Sequence, residues 1–228
     1  MLRPLALTWS VLLIRTFSFN GQRADQRFVG QYVAAHAHGT DGIINALNAG
    51  VMTIEHGSYL NDEAIDLMKR KGAILVATRF IQVNGISHPE NMPTESFKKL
   101  LVVEKANKEA YTKAIKAGVK CALGTDLGIS NVESEFNHGM NGHEFALAVE
   151  AGMTPLQAIE AGTANGPDTL GPQAPLSGQL KEGFDADFIV LSQNPIDDIA
   201  ILSQPDKITH VFKGGKCFKS PMKPLGIL

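Results

Sequence analysis

Between Tyr32 and Tyr59 the chain reads YVAAHAHGTDGIINALNAGVMTIEHGSY. Two short apolar runs each end in histidine followed by glycine, and the residues between them have the length and pattern of a single helix. Parallel strands cannot be joined by a tight turn and need a crossover of about a dozen residues, commonly helical. The stretch therefore constrains the chain to a β-α-repeating architecture around a parallel sheet. It also sets histidines at the carboxyl ends of the strands, where an α/β barrel keeps its chemistry.

The alternation continues downstream. TDGIINALNAG can be capped by Thr40 or Asp41 and ended by Gly50. NDEAIDLMKRKG can start at Asn61 or Asp62 and stop at Gly72, with Ile65, Leu67 and Met68 as its apolar contacts. AILVAT reads as a third strand, apolar throughout as a parallel sheet covered on both faces requires. Residues 79–95, with Gly85, Pro89 and Pro93, are expected to form a long polar loop of the functional or mobile kind. SFKKLLVVEKANKEAYTKAIKAG follows as a long helix, and VKCALGTD as a fourth strand with Asp126 at its carboxyl end. A second polar loop, 127–141, leads into the helical stretches HEFALAVEAG and TPLQAIEAGTANGPDTLG, the latter capped by Thr154 with Pro155 in its first turn. After Pro172 the texture changes to short strands, with Gly214-Gly215 as a hairpin turn.

Three segments result: a leader of residues 1–30, expected to be irregular or poorly ordered; an α/β part over 31–172; and a small β segment over 173–228. The leader holds an apolar run too short to span a bilayer, which needs about 20 residues. No small-x-small cleavage site follows it, so a secretory signal is the weaker reading and the cytoplasm the expected compartment. The formal net charge is −2 and no Lys/Arg cluster stands out, which argues against nucleic acid as the main partner; a membrane is not expected as a partner either. Cys121 and Cys217 make no C-x-x-C pair and read as buried structural thiols.

The groups that can carry chemistry are His36, His56 and Asp126, each closing an apolar strand. Imidazole nitrogen with carboxylate oxygen suits zinc or another divalent ion of similar hardness. Such an ion lowers the pKa of its water to about 7, and a carboxylate beside that water can act as general base. His38 competes with His36, because residues two apart on a strand face the same side. Tyr59 and Arg79 follow the second and third of these strands, and His143 follows Asp126. All three lie where a substrate could be met, with structural roles as the alternative.

VAAHAHG, GVMTIEHGSYLNDEAIDLMKRKG, CALGTD, EAGMTPLQAIEAGTAN and GQLKEGFDADFIVL, in this order, resemble the metal-dependent amidohydrolase superfamily. The likeness is to its imidazolonepropionase-like and prolidase-like branch and runs from residue 31 to about 215. It implies a (β/α)8 barrel of which this chain carries strands five to eight with their helices, plus part of a small β sandwich. It also implies metal ligation by His36, His56 and Asp126, with Asp126 as general base and His38 facing the substrate or merely the loop. The implied reaction is hydrolysis of a carbon–nitrogen bond in a small amide or dipeptide-like substrate. The family's first-strand H-x-H pair and fourth-strand lysine have no counterpart before Tyr32. A catalytically silent fragment, or a half-barrel acting by self-association as a homo-oligomer, is therefore the alternative expectation.

Overall fold

The computed structural model describes residues 32–222, so the leader of residues 1–30 and the last six positions lie outside the described residues. Strands β1 (Ala34–Ala37), β2 (Thr53–His56) and β3 (Ile74–Val76) form a parallel sheet in sequence order. Helices α1 (Thr40–Asn48) and α2 (Asp62–Lys71) are the crossovers. The register sets Ala35, Ile54 and Leu75 on one face and His36, Glu55 and Val76 on the other. The first face packs under the helices: Ile43, Leu47, Ile54 and Met68 are fully buried there and Leu75 nearly so. Burying a side chain of this size stabilises by roughly 1.5–3 kcal/mol, so these few residues hold the sheet and its helices together.

The caps of α2 are the ones its sequence offers. Asn61 accepts the Ala64 N–H at 2.9 Å, and Gly72 closes the helix at a φ of 66°. α1 differs, for it has no side-chain cap; Thr40 instead donates from Oγ1 to the Tyr59 carbonyl at 2.6 Å, tying the helix start to the loop after β2.

Residues 79–95 are not a loop. They contain α3 (Arg79–Ser87) and a 3₁₀ turn at Pro89–Asn91, before the long helix α4 (Thr94–Ala117). α3 starts at Thr78, in the left-handed region at a φ of 48°, and no local side chain caps it. Its Phe80 N–H is met instead by Glu144 Oε1 at 2.7 Å, a partner 64 residues away. A helix whose orphan donor is satisfied from that distance leaves no local start signal. Gly85 lets α4 come close: a Cβ there would lie 3.0 Å from Leu100 Cδ2.

The fourth strand is likewise reduced, to a single parallel bridge between Leu75 and Cys121. Leu75 N–H donates to Lys120 O and Ala122 N–H to Leu75 O, but the next amide, Leu123, donates to Ala161 O. That carbonyl belongs to α6 (Pro155–Gly162), so the ladder loses its next rung to a helix end. α6 is capped by Thr154 in a reciprocal capping box with Gln157 and begins at Pro155. It stops at Thr163, so the expected single helix is broken before the short α7 (Asn165–Asp168).

Strands β4 (Phe188–Leu191), β5 (Ile208–Lys213) and β6 (Lys216–Lys219) form a separate antiparallel sheet. Gly214 and Gly215 make the hairpin turn with φ values of 55° and 75°, which favour glycine. This part meets α5 (His143–Glu150) through the turn Ile199–Ser203, where Ile201 is buried and Gly142 lies so close to the Leu202 carbonyl that no Cβ would fit. Cys121 is buried, and burial pushes its thiol up to about 12; Cys217 is only half-buried and donates to Lys219 O at 3.1 Å.

Candidate metal centre

Among the described residues only three non-glycine positions have positive φ: His56 at 72°, Thr78 at 48° and Asp126 at 60°. They end β2, β3 and the bridged fourth segment. Left-handed backbone costs a branched or bulky residue of order 1–3 kcal/mol and persists where surrounding structure enforces it. The conformation has a visible effect at His56. Strand alternation would send its side chain to the helix-covered face with Ile54, whereas the positive φ re-aims it so that the ring meets His36, with centroids 4.4 Å apart. Gly57 follows at a φ of 60°, and a Cβ there would sit 2.7 Å from Leu75 Cδ1.

His36, His38 and His56 form one cluster, with their ligating nitrogens all within 4.8 Å of one another. His56 Nε2 lies 2.8 Å from His36 Nδ1, and His38 stacks on His56 at an interplanar angle of 6°. The outer nitrogens are engaged as well: His56 Nδ1 with Thr78 Oγ1 at 2.6 Å and His38 Nδ1 with Ser58 Oγ at 2.8 Å. Asn107, fully buried on α4, donates to the His56 carbonyl at 2.8 Å and to the Ala77 carbonyl at 3.2 Å, pinning both strand ends. Burial, with His38 and His36 beside it, pushes His56 down to about 3; burial and His36 push His38 down to about 4. Three imidazoles brought this close together are a donor set of the kind that binds a divalent ion. The donor set therefore fits zinc.

The expected site residues fall into distinct places. Asp126 is exposed at the end of the fourth segment and is not in the histidine cluster. Its charge reaches Glu55, whose carboxyl is raised above its ordinary value by burial first and by Asp126 in the same direction, against a hydrogen bond from Thr53. Tyr59 is exposed, its N–H donating to the His38 carbonyl at 2.9 Å. His143 is half-buried and stacks on Phe80 with centroids 4.6 Å apart, and burial lowers its pKa. Arg79 is 1% exposed, with Nη2 on Glu104 Oε1 at 2.7 Å and Nη1 on the Glu104 carbonyl at 3.2 Å. Both its terminal nitrogens are thus taken inside the protein. The sequence reading passed over Ser58, Thr78 and Asn107, the residues that hold the histidines. Hydroxyls and amides leave no periodic signal; only the recurrence of a polar residue just after each strand could have marked the first two.

The chain matches the amidohydrolase family over residues 22–217, and it belongs to that family. Ochratoxinase of Aspergillus niger is 48% identical over 191 residues, covering 83% of this chain and 38% of that protein. The crystal structure of A. niger ochratoxinase superposes with a TM-score of 0.74 at 46% identity, over 84% of this chain and 42% of that one. A Xaa-Pro dipeptidase with methionine bound in its active site gives 0.71 at 32% identity, covering 83% and 45%. A prolidase complexed with N-methylphosphonate-L-proline gives 0.74 at 30%, with the same coverage. The chain thus spans about two fifths of the length of the relatives it matches. No described helix is long and apolar enough to cross a membrane.

Proposed function

We propose that this chain carries the strand-five-to-eight part of a metal-dependent amidohydrolase barrel over residues 31–172, and that it serves hydrolysis of a carbon–nitrogen bond in an N-acyl amino acid or dipeptide-like substrate. The observation that carries this reading is the cluster of three imidazoles, with His56 buried and His36 and His38 partly so, at the carboxyl ends of parallel strands. His36 and His56 would hold a zinc or similar ion, with Asp126 on its open side. Bound there, the ion would supply Lewis acidity to the amide carbonyl and make water acidic near neutral pH.

Asp126 then takes a proton from the attacking water and returns it to the amine nitrogen as the C–N bond breaks, so the proton count closes without another acid. Its exposure leaves it free to meet solvent and substrate. Tyr59 and His143 would face the substrate, and the names of the prolidase and dipeptidase relatives support a substrate with a carboxylate beside the cleaved amide. The test is zinc analysis of the purified chain together with hydrolysis of N-acyl amino acids and X-Pro dipeptides. One zinc and turnover in the unaltered chain, both lost in His56→Ala, are expected; turnover that survives in His56→Ala would end this reading.

A second reading is favoured by one observation. β1 has no strand on its outer side among the described residues, and Tyr32 and Val33 beside it are 40% and 47% exposed. Open edges invite pairing, so a silent half-barrel acting by association would run as a metal-free, monodisperse dimer in sedimentation; a monomer removes it.

A further inference from the structure

We propose that Thr125 and Asn141 position Asp126 for proton transfer: their hydrogen bond closes the neck of the 127–141 loop and fixes the backbone that carries the carboxylate. The inference rests on the reading of Asp126 as general base and adds the two residues through which its place is held.

The need for such a tie lies in how the fourth segment ends. Leu123 N–H donates to Ala161 O, and among the described residues no backbone–backbone hydrogen bond holds Gly124, Thr125 or Asp126. Asp126 is exposed at a φ of 60°. A left-handed backbone at a non-glycine residue persists only where its surroundings enforce it, so a contact outside the sheet has to set the direction of Asp126.

Thr125 supplies that contact. It is buried, its Oγ1 donates to Asn141 Oδ1 at 2.9 Å, and the Leu127 N–H points back to the same oxygen at 3.5 Å. A hydroxyl can donate and accept at once, so one side chain engages both the residue after Asp126 and the far end of the loop. Leu127 is buried too, so both neighbours of Asp126 lie inside while Asp126 itself faces solvent.

Asn141 is a fixed post for this bond. Its carbonyl accepts the Glu144 N–H at 3.3 Å at the start of α5, and Gly142 beside it lies against the Leu202 backbone with no room for a Cβ. Glu144 in turn meets the Phe80 N–H, which makes the post continuous with α3.

The loop has a second tie at its tip. Glu135 O accepts from Asn84 Nδ2 at 2.7 Å, and Glu135 Oε2 lies 2.7 Å from His88 Nδ1. Between tip and neck the His138 N–H donates to Ile129 O at 3.1 Å. That rung separates the two ties, so each can be broken without the other.

The experiment compares the unaltered chain with Thr125→Val, Thr125→Ser, Asn141→Ala and Glu135→Ala. Each is assayed for steady-state hydrolysis of an X-Pro dipeptide and an N-acyl amino acid, and for amide hydrogen exchange. Thr125→Val keeps the branched shape and removes the hydroxyl; it should lower kcat about tenfold with KM little changed, as misplacement of a reacting group does. Exchange at the neck amides of Leu127 and His138 should rise about tenfold, the worth of one hydrogen bond. Asn141→Ala should do the same from the other end of the bond, and decides the matter should Thr125→Val not fold. Thr125→Ser should restore both readouts. Glu135→Ala should speed exchange at Ser134 and Asn137 and leave kcat unchanged. An unchanged kcat or unchanged neck exchange in Thr125→Val, or an equal kcat loss in Glu135→Ala, would overturn the positioning role while hydrolysis by the unaltered chain stands. No turnover in the unaltered chain would overturn the hydrolytic reading and this role with it.

Discussion

Two polar clusters in this protein are partly or fully buried, and they are built in opposite ways. At the ends of β1 and β2, three imidazoles lie together, with His38 Nδ1 and His56 Nδ1 on hydroxyls and His56 Nε2 on His36 Nδ1. Between α3, α4 and α5, Arg79 is paired with Glu104 while Glu144 accepts the Phe80 N–H. The second cluster largely satisfies its charges internally and ties helices together. The first crowds three groups of one kind, none of which supplies an opposite charge, and it is the one whose members could hold a cation. Burial alone does not distinguish a site from a strut; whether the groups supply opposite charges to one another does.

The largest effect that could break this contrast lies at Asp126, the proposed general base. Asp126→Asn should lower the hydrolytic kcat by about 10²–10⁴, the usual worth of a positioned general base. Steady-state assay checks it, and an Asp126→Asn enzyme of unchanged rate would remove the base assignment. On the other cluster, Arg79→Ala should destabilise the fold by about 3–5 kcal/mol, because Glu104 keeps a partly buried charge without its partner. Urea unfolding measures this, and a loss near zero would mean that Arg79 is no strut.

A subtler difference is pH. Burial raises Glu144 from 4.5 to about 7, against the Phe80 N–H and Arg79, which both lower it. Between those values the folded chain holds a proton that the unfolded chain has released, so this contribution is complete below about 4.3 and is lost as pH rises through about 7. Glu144→Gln keeps an acceptor for Phe80 and should flatten that slope, which amounts to about 3 kcal/mol between pH 4.5 and 7. Thermal unfolding across this range gives the answer, and parallel pH profiles for the two proteins would refute it. The smallest effect is local: Asn61→Ala should cost about 1 kcal/mol through the lost cap of α2, read in the same urea experiment and without effect on zinc.

These elements differ in how far they could be read in advance. α2 and α6 were legible because their caps lie within a few residues of the helix they start, as do Asn61 with Ala64 and Thr154 with Gln157. The strands and their histidines were legible through short, continuously apolar runs and the His-Gly ends. α3 was not, since its capping carboxylate, Glu144, belongs to another helix. The fourth strand was overread, because apolarity in VKCALGTD cannot reveal that Leu123 would hydrogen-bond to Ala161.

The sequence by itself determined the β-α alternation, the hairpin at Gly214-Gly215 and the presence of histidines at strand ends, all set by spacing and by residues acting on their near neighbours. Tertiary structure alone decided that Arg79 turns inward to Glu104 and that His38 joins His36 and His56. It also decided that His56, Thr78 and Asp126 adopt positive φ. Each of those outcomes depends on a partner distant in the chain, or on backbone strain that only surrounding packing can impose, and neither leaves a mark in the local order of residues.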